Sequence, residues 1–565
     1  MHIRNLFLPL LGIAAIVIGI TFHTTAPLPI QTKTVIVPSV AALGEGPVLL
    51  VPLDSRPPCN QLVQKLAAIA GIEIIVPPNR HLDNYKSPAN REAVRQWTYN
   101  QLSRAQSAIL SSDLLMYGGL IASRQQQTIA KDEVVKTISF LQQLHTKHPS
   151  KPVYLFSIIP RLLIAEDDET KLWQEPMRQW ATAKDIYDTF EQPADFKKLE
   201  IIRRMLPDKV INQYESLYQE NAARNHLLLS LASKGVLSYL VLGQDDAQPF
   251  GLPNRNRNLF RDIISQDKLS DCAATTRGAD EIAMLLLSRW YNERTGFTPK
   301  IFIEYSDRSV PEMIMPFMSA STAESAAEKV ALVGGVTVSS PDEADFILFI
   351  HCGNPAISDR KLKLTAQKVN QYVTSGYAVA LVDLSQEYKA HQTLLPSLLE
   401  NQTPLVKLAA YAGWNTTSNS LGTAISQASL FKARLRLVQS PQDELSVYAQ
   451  NLSFTLERLL DDWAYQKKVQ KEVDAALLKK GQNPYRLGEI RMETLNTIER
   501  KLRQESQSLL QKNLRRYPFY QQASDSLPQN YYLQDILLDC RLPWDRTFEI
   551  DLTVQPVIGL QIPSE

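Results

Sequence analysis

Cysteine is scarce in this chain, and surplus charge is absent. Four cysteines, Cys59, Cys272, Cys352 and Cys540, stand far apart in 565 residues, which excludes a disulfide-built scaffold. None falls in a CxxC or Cys/His spacing, so a structural zinc site has no support. The chain sets 60 Lys and Arg against 59 Asp and Glu, a formal net charge of +1. That balance gives no electrostatic footprint for nucleic acid or for an anionic lipid surface. The phosphate-cradling patterns GxGxxG and GxxxxGK[ST] are missing, as are the HxH and HExxH spacings of metal sites. No internal repeat and no low-complexity tract is found. What remains, 44% hydrophobic and 21% charged, is an ordinary globular composition.

The N-terminus departs from it. "MHIRNLFLPLLGIAAIVIGITF" carries Arg4 and then the apolar run Leu6–Phe22, long for a signal sequence and short for a spanning helix. Small-residue stretches at 24–26 (TTA) and 39–41 (SVA) offer cleavage points, and no Cys follows for lipid attachment. Residues 1–25 are expected to be a signal peptide or membrane anchor, and 26–46, with Pro27, Pro29 and Pro38, a proline-rich linker. The body should then lie outside the cytoplasm, touching the membrane through residues 6–22 only.

From Val48 the chain repeats one pattern: a near-continuous apolar run, a charged or rigid loop, then a helical stretch. "VLLVPLDSRPPCN" is the first case; runs at 72–78, 107–119, 152–161, 237–246, 299–308, 344–354, 377–385 and 405–415 follow. Such runs suit strands buried on both faces of a parallel sheet, and their alternation with helices predicts an α/β fold. Two architectures fit: a (β/α) barrel-like closed sheet, or an open doubly wound parallel sheet, split in two near residue 320. The missing GxGxxG favours the barrel. "ADEIAMLLLSRWYNERTG" is expected as a helix capped by Thr276 and closed by Gly296. The α/β domain should span 47–425. A helical region with C-terminal strands packed on it should fill 426–565.

In either architecture ligands bind at the carboxyl ends of the strands. There the sequence sets Asp54 and Arg56, Asp113 and Tyr117, Arg161, Asp245 and Asp246, Asp307 and Arg308, His351, Asp383, and finally Trp414 and Asn415. Any one of these acids alone suits a turn or a helix cap; their recurrence at strand after strand points to one shared mouth. "GQDDAQPFG" is the sharpest segment. Two adjacent carboxylates repel, and in a dry site one is forced to keep its proton, which is the acid/base division glycosidases use. An Asx turn leading to Pro249 is the alternative. Asp280 and Glu281 in "RGADE" fit a helix's first turn. "RLPWDR" lends Arg541, Trp544 or Arg546 to the mouth or pins the tail. A thiol nucleophile at Cys59 or Cys352 is a weaker candidate, since buried cysteine is usually inert packing.

Five segments, "PLDSRPPCN", "SSDLLMYGGLIASR", "GQDDAQPFG", "RGADE" and "AGWNTTSNSLGTAI", stand in an order that resembles a bacterial family defined by a domain of unknown function with a leading Pro-Leu-Asp-x-Arg-Pro motif. The resemblance spans nearly everything after the linker; the doubled Pro57-Pro58 departs from the family's single proline. It implies a shared motif set and no particular reaction. From the residues, the expectation is an exported or membrane-tethered hydrolase, glycosidase-like, acting on an envelope carbohydrate without a cofactor. Asp245 and Asp246 would be catalytic; Asp54, Arg56, Asp113, Tyr117, Arg161, Asp307, Arg308, Trp414 and Asn415 would bind substrate. Two alternatives stand beside it: a metal-dependent hydrolase ligated by Asp54, Asp113, Asp246 and His351, and a non-catalytic glycan-binding protein.

Overall fold

The apolar runs become strands because nothing in them favours water, and they divide between two sheets that stay open. The structure is a computed structural model that describes residues 31–42, 44, 46–124, 131–163, 171–523 and 528–562. β1 (Thr32–Val35), from within the expected linker, joins a sheet completed at the far end of the chain. The first parallel sheet follows with β2 (Val48–Val51), β3 (Ile74–Ile75), β4 (Ser107–Ser111), β5 (Val153–Ile159), β6 (Tyr239–Gln244) and β7 (Ala273–Arg277). Its order is β3-β2-β4-β5-β6-β7. The second sheet holds β8 (Lys300–Tyr305), β9 (Val336–Thr337), β10 (Phe346–Gly353), β11 (Val379–Ser385) and β12 (Ala410–Ala412), in the order β12-β11-β10-β8-β9. All pairings in both sheets are parallel.

Counted from its own first strand, each sheet reads 2-1-3-4-5, and the first adds a sixth strand at its end. The order therefore reverses twice, between β2 and β4 and between β8 and β10, and each reversal opens a crevice at the carboxyl edge. The fold is α/β, as expected, but among the described residues neither sheet closes into the barrel that the missing glycine motif favoured. Closure requires the outer strands to find partners. Here β3 and β9 are two residues long and β12 three, too short to carry a ladder onward.

Two helices fill the space between the sheets. Ile282–Thr295 and Thr417–Leu435 contribute Met284, Leu285, Leu421 and Ile425 to one core shared with Val48 and Val241 of the first sheet and Leu348 and Val382 of the second. The first of these helices is capped at Glu281, five residues after the expected cap Thr276, which instead lies buried inside β7. β-Branched Thr275 and Thr276 fit a pleated surface better than a cap. Gly296, at φ 64, closes the helix as expected. Gly422 lets the second helix approach: a Cβ there would stand 2.3 Å from Cγ of Glu281.

After Leu435 the expected long helices form, Pro441–Arg458, Gln470–Lys479 and Arg491–Leu509, the first two joined by the wider π-helical turn Leu459–Val469. β13 (Pro518–Gln522), β14 (Gln529–Arg541) and β15 (Asp551–Gln561) complete an antiparallel sheet in the order β1-β15-β14-β13. Among the described residues no helix is long and apolar enough to cross a membrane. The run Leu6–Phe22 lies outside the described residues.

Candidate active site

The loop after β2 is where the charged-loop pattern first becomes chemistry. Asp54 is fully buried and takes Nε of Arg56 on both oxygens, at 3.0 and 2.9 Å, and Nη2 at 2.7 Å. Pro57 starts the 3-10 turn Pro57–Cys59, which leads into the helix Gln61–Ile69 and leaves the loop no freedom to swing. Asp54 is thus a lock on Arg56 and does not face the cavity. The same Nη2 reaches Oδ1 of Asp280 at 2.7 Å. Burial opposes the Arg56 charge, but Asp280 and Asp54 raise its proton affinity well above the ordinary value. Behind them Asp83 accepts the Ser55 N–H at 2.7 Å; burial and the neighbouring Asp54 push it up to about 8.

β6 delivers "GQDD" into a cavity of about 210 Å³. Asp245 is spent on structure: Oδ2 accepts Nε of Arg124 at 2.8 Å and Oδ1 accepts the Asp246 N–H at 2.9 Å. Asp246 is different. It forms no ion pair with any described residue, and burial followed by the Asp245 charge pushes its carboxyl up to about 7. Its carbonyl accepts the Leu162 N–H at 2.9 Å, and the next residue, Ala247, donates to the Phe317 carbonyl at 3.1 Å, so the turn is braced from two neighbouring loops. Gln244 accepts Ser319 Oγ at 2.8 Å, and Ser319 accepts Arg277 Nε at 3.1 Å.

β7 and its loop bring Arg277, Gly278 and Asp280 to the same wall. Gly278, at φ 92, is required: a Cβ would stand 2.0 Å from Oε1 of Glu281. Glu281, fully buried, pairs with the equally buried Lys329 at 2.6 Å. The second sheet contributes the start of the helix Thr417–Leu435. Thr416 caps it, Asn419 Nδ2 reaches Oδ2 of Asp280 at 3.5 Å, and Asn415 sits at φ 45. The β14–β15 loop covers the mouth. Trp544 donates to Ser55 Oγ at 3.0 Å with Arg56 5.6 Å from its ring centre, and Arg546, 4.7 Å from that ring, is held by Glu549.

Of the residues expected from sequence, Arg56, Arg161, Asp245, Asp246 and Asn415 line this cavity, and so do Trp544 and Arg546 of "RLPWDR". The others do not, each for a visible reason. Asp113 lies in the first turn of the helix Ser112–Tyr117, fully buried, accepting the Ile158 N–H at 2.8 Å and so tying β4 to β5. Tyr117 is held under Arg224, 4.8 Å from its ring centre. Asp307 and Arg308 belong to the other sheet's edge, the first half-buried and the second exposed, with Asp307 on Lys361 at 2.6 Å. Trp414 is buried in the core and donates to Thr423 at 3.1 Å; the indole at the mouth is Trp544. His351 is buried beside Gln392 at 2.9 Å. The alternative ligand set Asp54, Asp113, Asp246 and His351 is not brought together, and no cluster of three His, Cys, Asp or Glu fit for a metal ion occurs among the described residues. All four cysteines are free, and burial pushes Cys59 well up and Cys352 up to about 12, away from nucleophilic use.

Sequence reasoning missed Arg124, Arg277, Ser319 and Asn419 as lining residues, and it gave Asp280 to a helix terminus. A better placement of β7 would have put Asp280 in the loop after a strand. The family whose description is "Protein of unknown function (DUF4127)" matches residues 48–553, and the chain belongs to it. No curated protein matches the chain, and no solved structure does.

Proposed function

We propose that the chain is a hydrolase of an envelope carbohydrate in which Asp246 is the general acid. The observation that supports this reading is the unequal treatment of three carboxyls lining one cavity. Asp245 and Asp280 are each held by an arginine, whereas Asp246 has no ion-pair partner among the described residues and keeps its proton up to about pH 7. Environments that separate titratable neighbours assign acid and base roles. In the proposed step Asp246 gives its proton to the glycosidic oxygen as the bond to the anomeric carbon breaks. Asp280 takes a proton from the water that adds to that carbon, and solvent exchange restores both groups. Asp245, pinned by Arg124, positions Asp246. Arg56, Arg161, Asn415 and Asn419 bind the sugar, and no cofactor enters the scheme.

The apolar run Leu6–Phe22 ahead of a proline-rich stretch supports an address outside the cytoplasm. A fusion of residues 1–46 to a reporter active only after export should be active; a silent reporter removes that part of the proposal. Turnover is tested with a panel of aryl glycosides. Hydrolysis by the wild type that Asp246→Asn abolishes supports the assignment, and full activity in that variant removes it. A binding protein without turnover is the second reading, favoured by Asp280 having partners on both oxygens, Arg56 and Asn419.

A further inference from the structure

An aromatic ring left in water forgoes the large apolar burial it offers. Five aromatic side chains are exposed among the described residues: Phe190, Phe196, Phe317, Tyr485 and Phe548. The first two lean on other rings, Phe190 on Phe250 at 5.8 Å and Phe196 on Tyr187 at 5.3 Å. The remaining three, 49%, 57% and 41% exposed, all line the cavity that holds Asp246. They arrive from separate parts of the chain: the loop after β8, the turn after the helix Gln470–Lys479, and the β14–β15 loop. No two of them stack on each other, so they are not a hydrophobic cluster that lost its cover.

Phe317 adds a second observation. Its φ of 63 is left-handed, a costly conformation for a bulky residue with a Cβ, and such strain collects at working sites. The strained residue is fastened to the acid's own turn, since its carbonyl accepts the N–H of Ala247. The fold therefore holds an exposed ring at the mouth against both hydration and backbone preference.

We infer that the mouth binds an extended glycan chain, with Phe317, Tyr485 and Phe548 as platforms for sugars beyond the one at Asp246. This rests on the hydrolase reading only for the class of ligand, a sugar. A pyranose offers one face of C–H groups, which suits a ring, and an edge of hydroxyls, which suits Ser319, Asn415 and Asn419. The three rings come from three separate loops around one cavity of about 210 Å³, with Arg546 5.1 Å from the Phe548 ring, and three platforms suit a chain better than a single sugar. The charged floor argues against a lipid tail, which would strand Asp245, Asp280 and their arginines without water.

The probes are chito-, cello- and malto-oligosaccharides of one to six sugars, titrated calorimetrically into the full chain carrying Asp246→Asn. Affinity in one series should rise with length, and each of Phe317→Gly, Tyr485→Ala and Phe548→Ala should weaken hexamer binding about three- to tenfold, the range expected of one aromatic contact. Glycine suits the φ of residue 317, so Phe317→Gly should melt at or above the parent temperature while binding less; a ring that merely supported the fold would do the opposite. Equal affinity for one and six sugars, no binding in any series, or unchanged hexamer affinity when all three rings are removed overturns the inference. Hydrolysis of aryl glycosides without length dependence leaves the reaction standing and removes the platforms. Length-dependent binding by a protein that turns over no substrate does the reverse.

Discussion

The two parallel sheets share a strand order and differ in what their carboxyl edges are used for. At the first, Arg56, Asp245, Asp246, Arg277 and Asp280 surround an open cavity. At the second, the acid of β11 is consumed by the fold. Asp383 accepts the N–H groups of Leu394 and Leu395 at 2.7 and 3.1 Å and the Tyr411 hydroxyl at 3.2 Å, which ties the start of the helix Leu395–Glu400 to the end of β11 and closes that strand's end, although the loops after β8 and β12 still reach the cavity. Gly353, at the end of β10, lies so close to the Gln392 carbonyl that a Cβ would stand 1.8 Å from it. An acid at a strand end stays open to a cavity only where the next loop turns away and leaves it unclaimed.

That contrast can be broken by exchanging charge for shape at each edge. The largest effect is expected at the open edge. Asp246→Asn should lower turnover on a responsive glycoside by about 10²–10⁴-fold with little change in melting temperature. Wild-type turnover should fall as pH rises through about 7, where Asp246 loses its proton. The same shift has a sign for stability. The folded state keeps a proton that the unfolded chain releases near pH 4, so this group's contribution is full below about pH 4 and is lost as pH rises through about 7. Asp246→Asn should flatten the stability profile over that window.

At the closed edge the roles invert. Asp383→Ala leaves three buried donors without an acceptor and should cost about 3 kcal/mol in denaturant unfolding, with turnover per folded molecule unchanged. A stable Asp383→Ala protein lacking activity would erase the distinction between the edges. A smaller effect sharpens the picture beneath Arg56. Asp83 is pushed up to about 8, so wild-type stability falls as pH rises through that value, whereas Asp83→Asn keeps the acceptor for Ser55 and does not titrate. Relative to wild type, the variant should gain about 2–3 kcal/mol between pH 6 and pH 9, read from paired thermal melts. The smallest effect belongs to Asp307→Asn. Its pair with Lys361 is partly exposed, and both stability and turnover should stay within about 0.5 kcal/mol of wild type.

How far the site was legible follows from which physical signal each residue carried. "GQDD" announced itself through charge repulsion, and Arg56 through its place in a rigid, strand-terminal loop. Asp54 and Asp113 carried the same local signal but are buried behind the site, because a neighbouring Arg56 or Ile158 N–H claims them. Trp414 was expected to bind substrate, and Trp544 either to reach the mouth or to pin the tail. One faces Thr423 in the core and the other lies under the guanidiniums of Arg56 and Arg546, a difference of orientation that no spacing encodes. Asp280 was misread because two threonines near the end of a short strand look like a helix cap.

The sequence by itself determined that the chain folds as strands alternating with helices, because apolar runs must leave water and their length suits a strand. It also determined that positive and negative charge nearly balance and that acids gather at strand ends. Only the tertiary structure decided that the sheet divides in two and stays open, since closure depends on edge strands whose length is set by their partners. It also decided which acid keeps a proton. Desolvation and neighbouring charge are properties of a place, and that place is built jointly by residues as distant in the chain as Arg56, Asp246, Asn419 and Trp544.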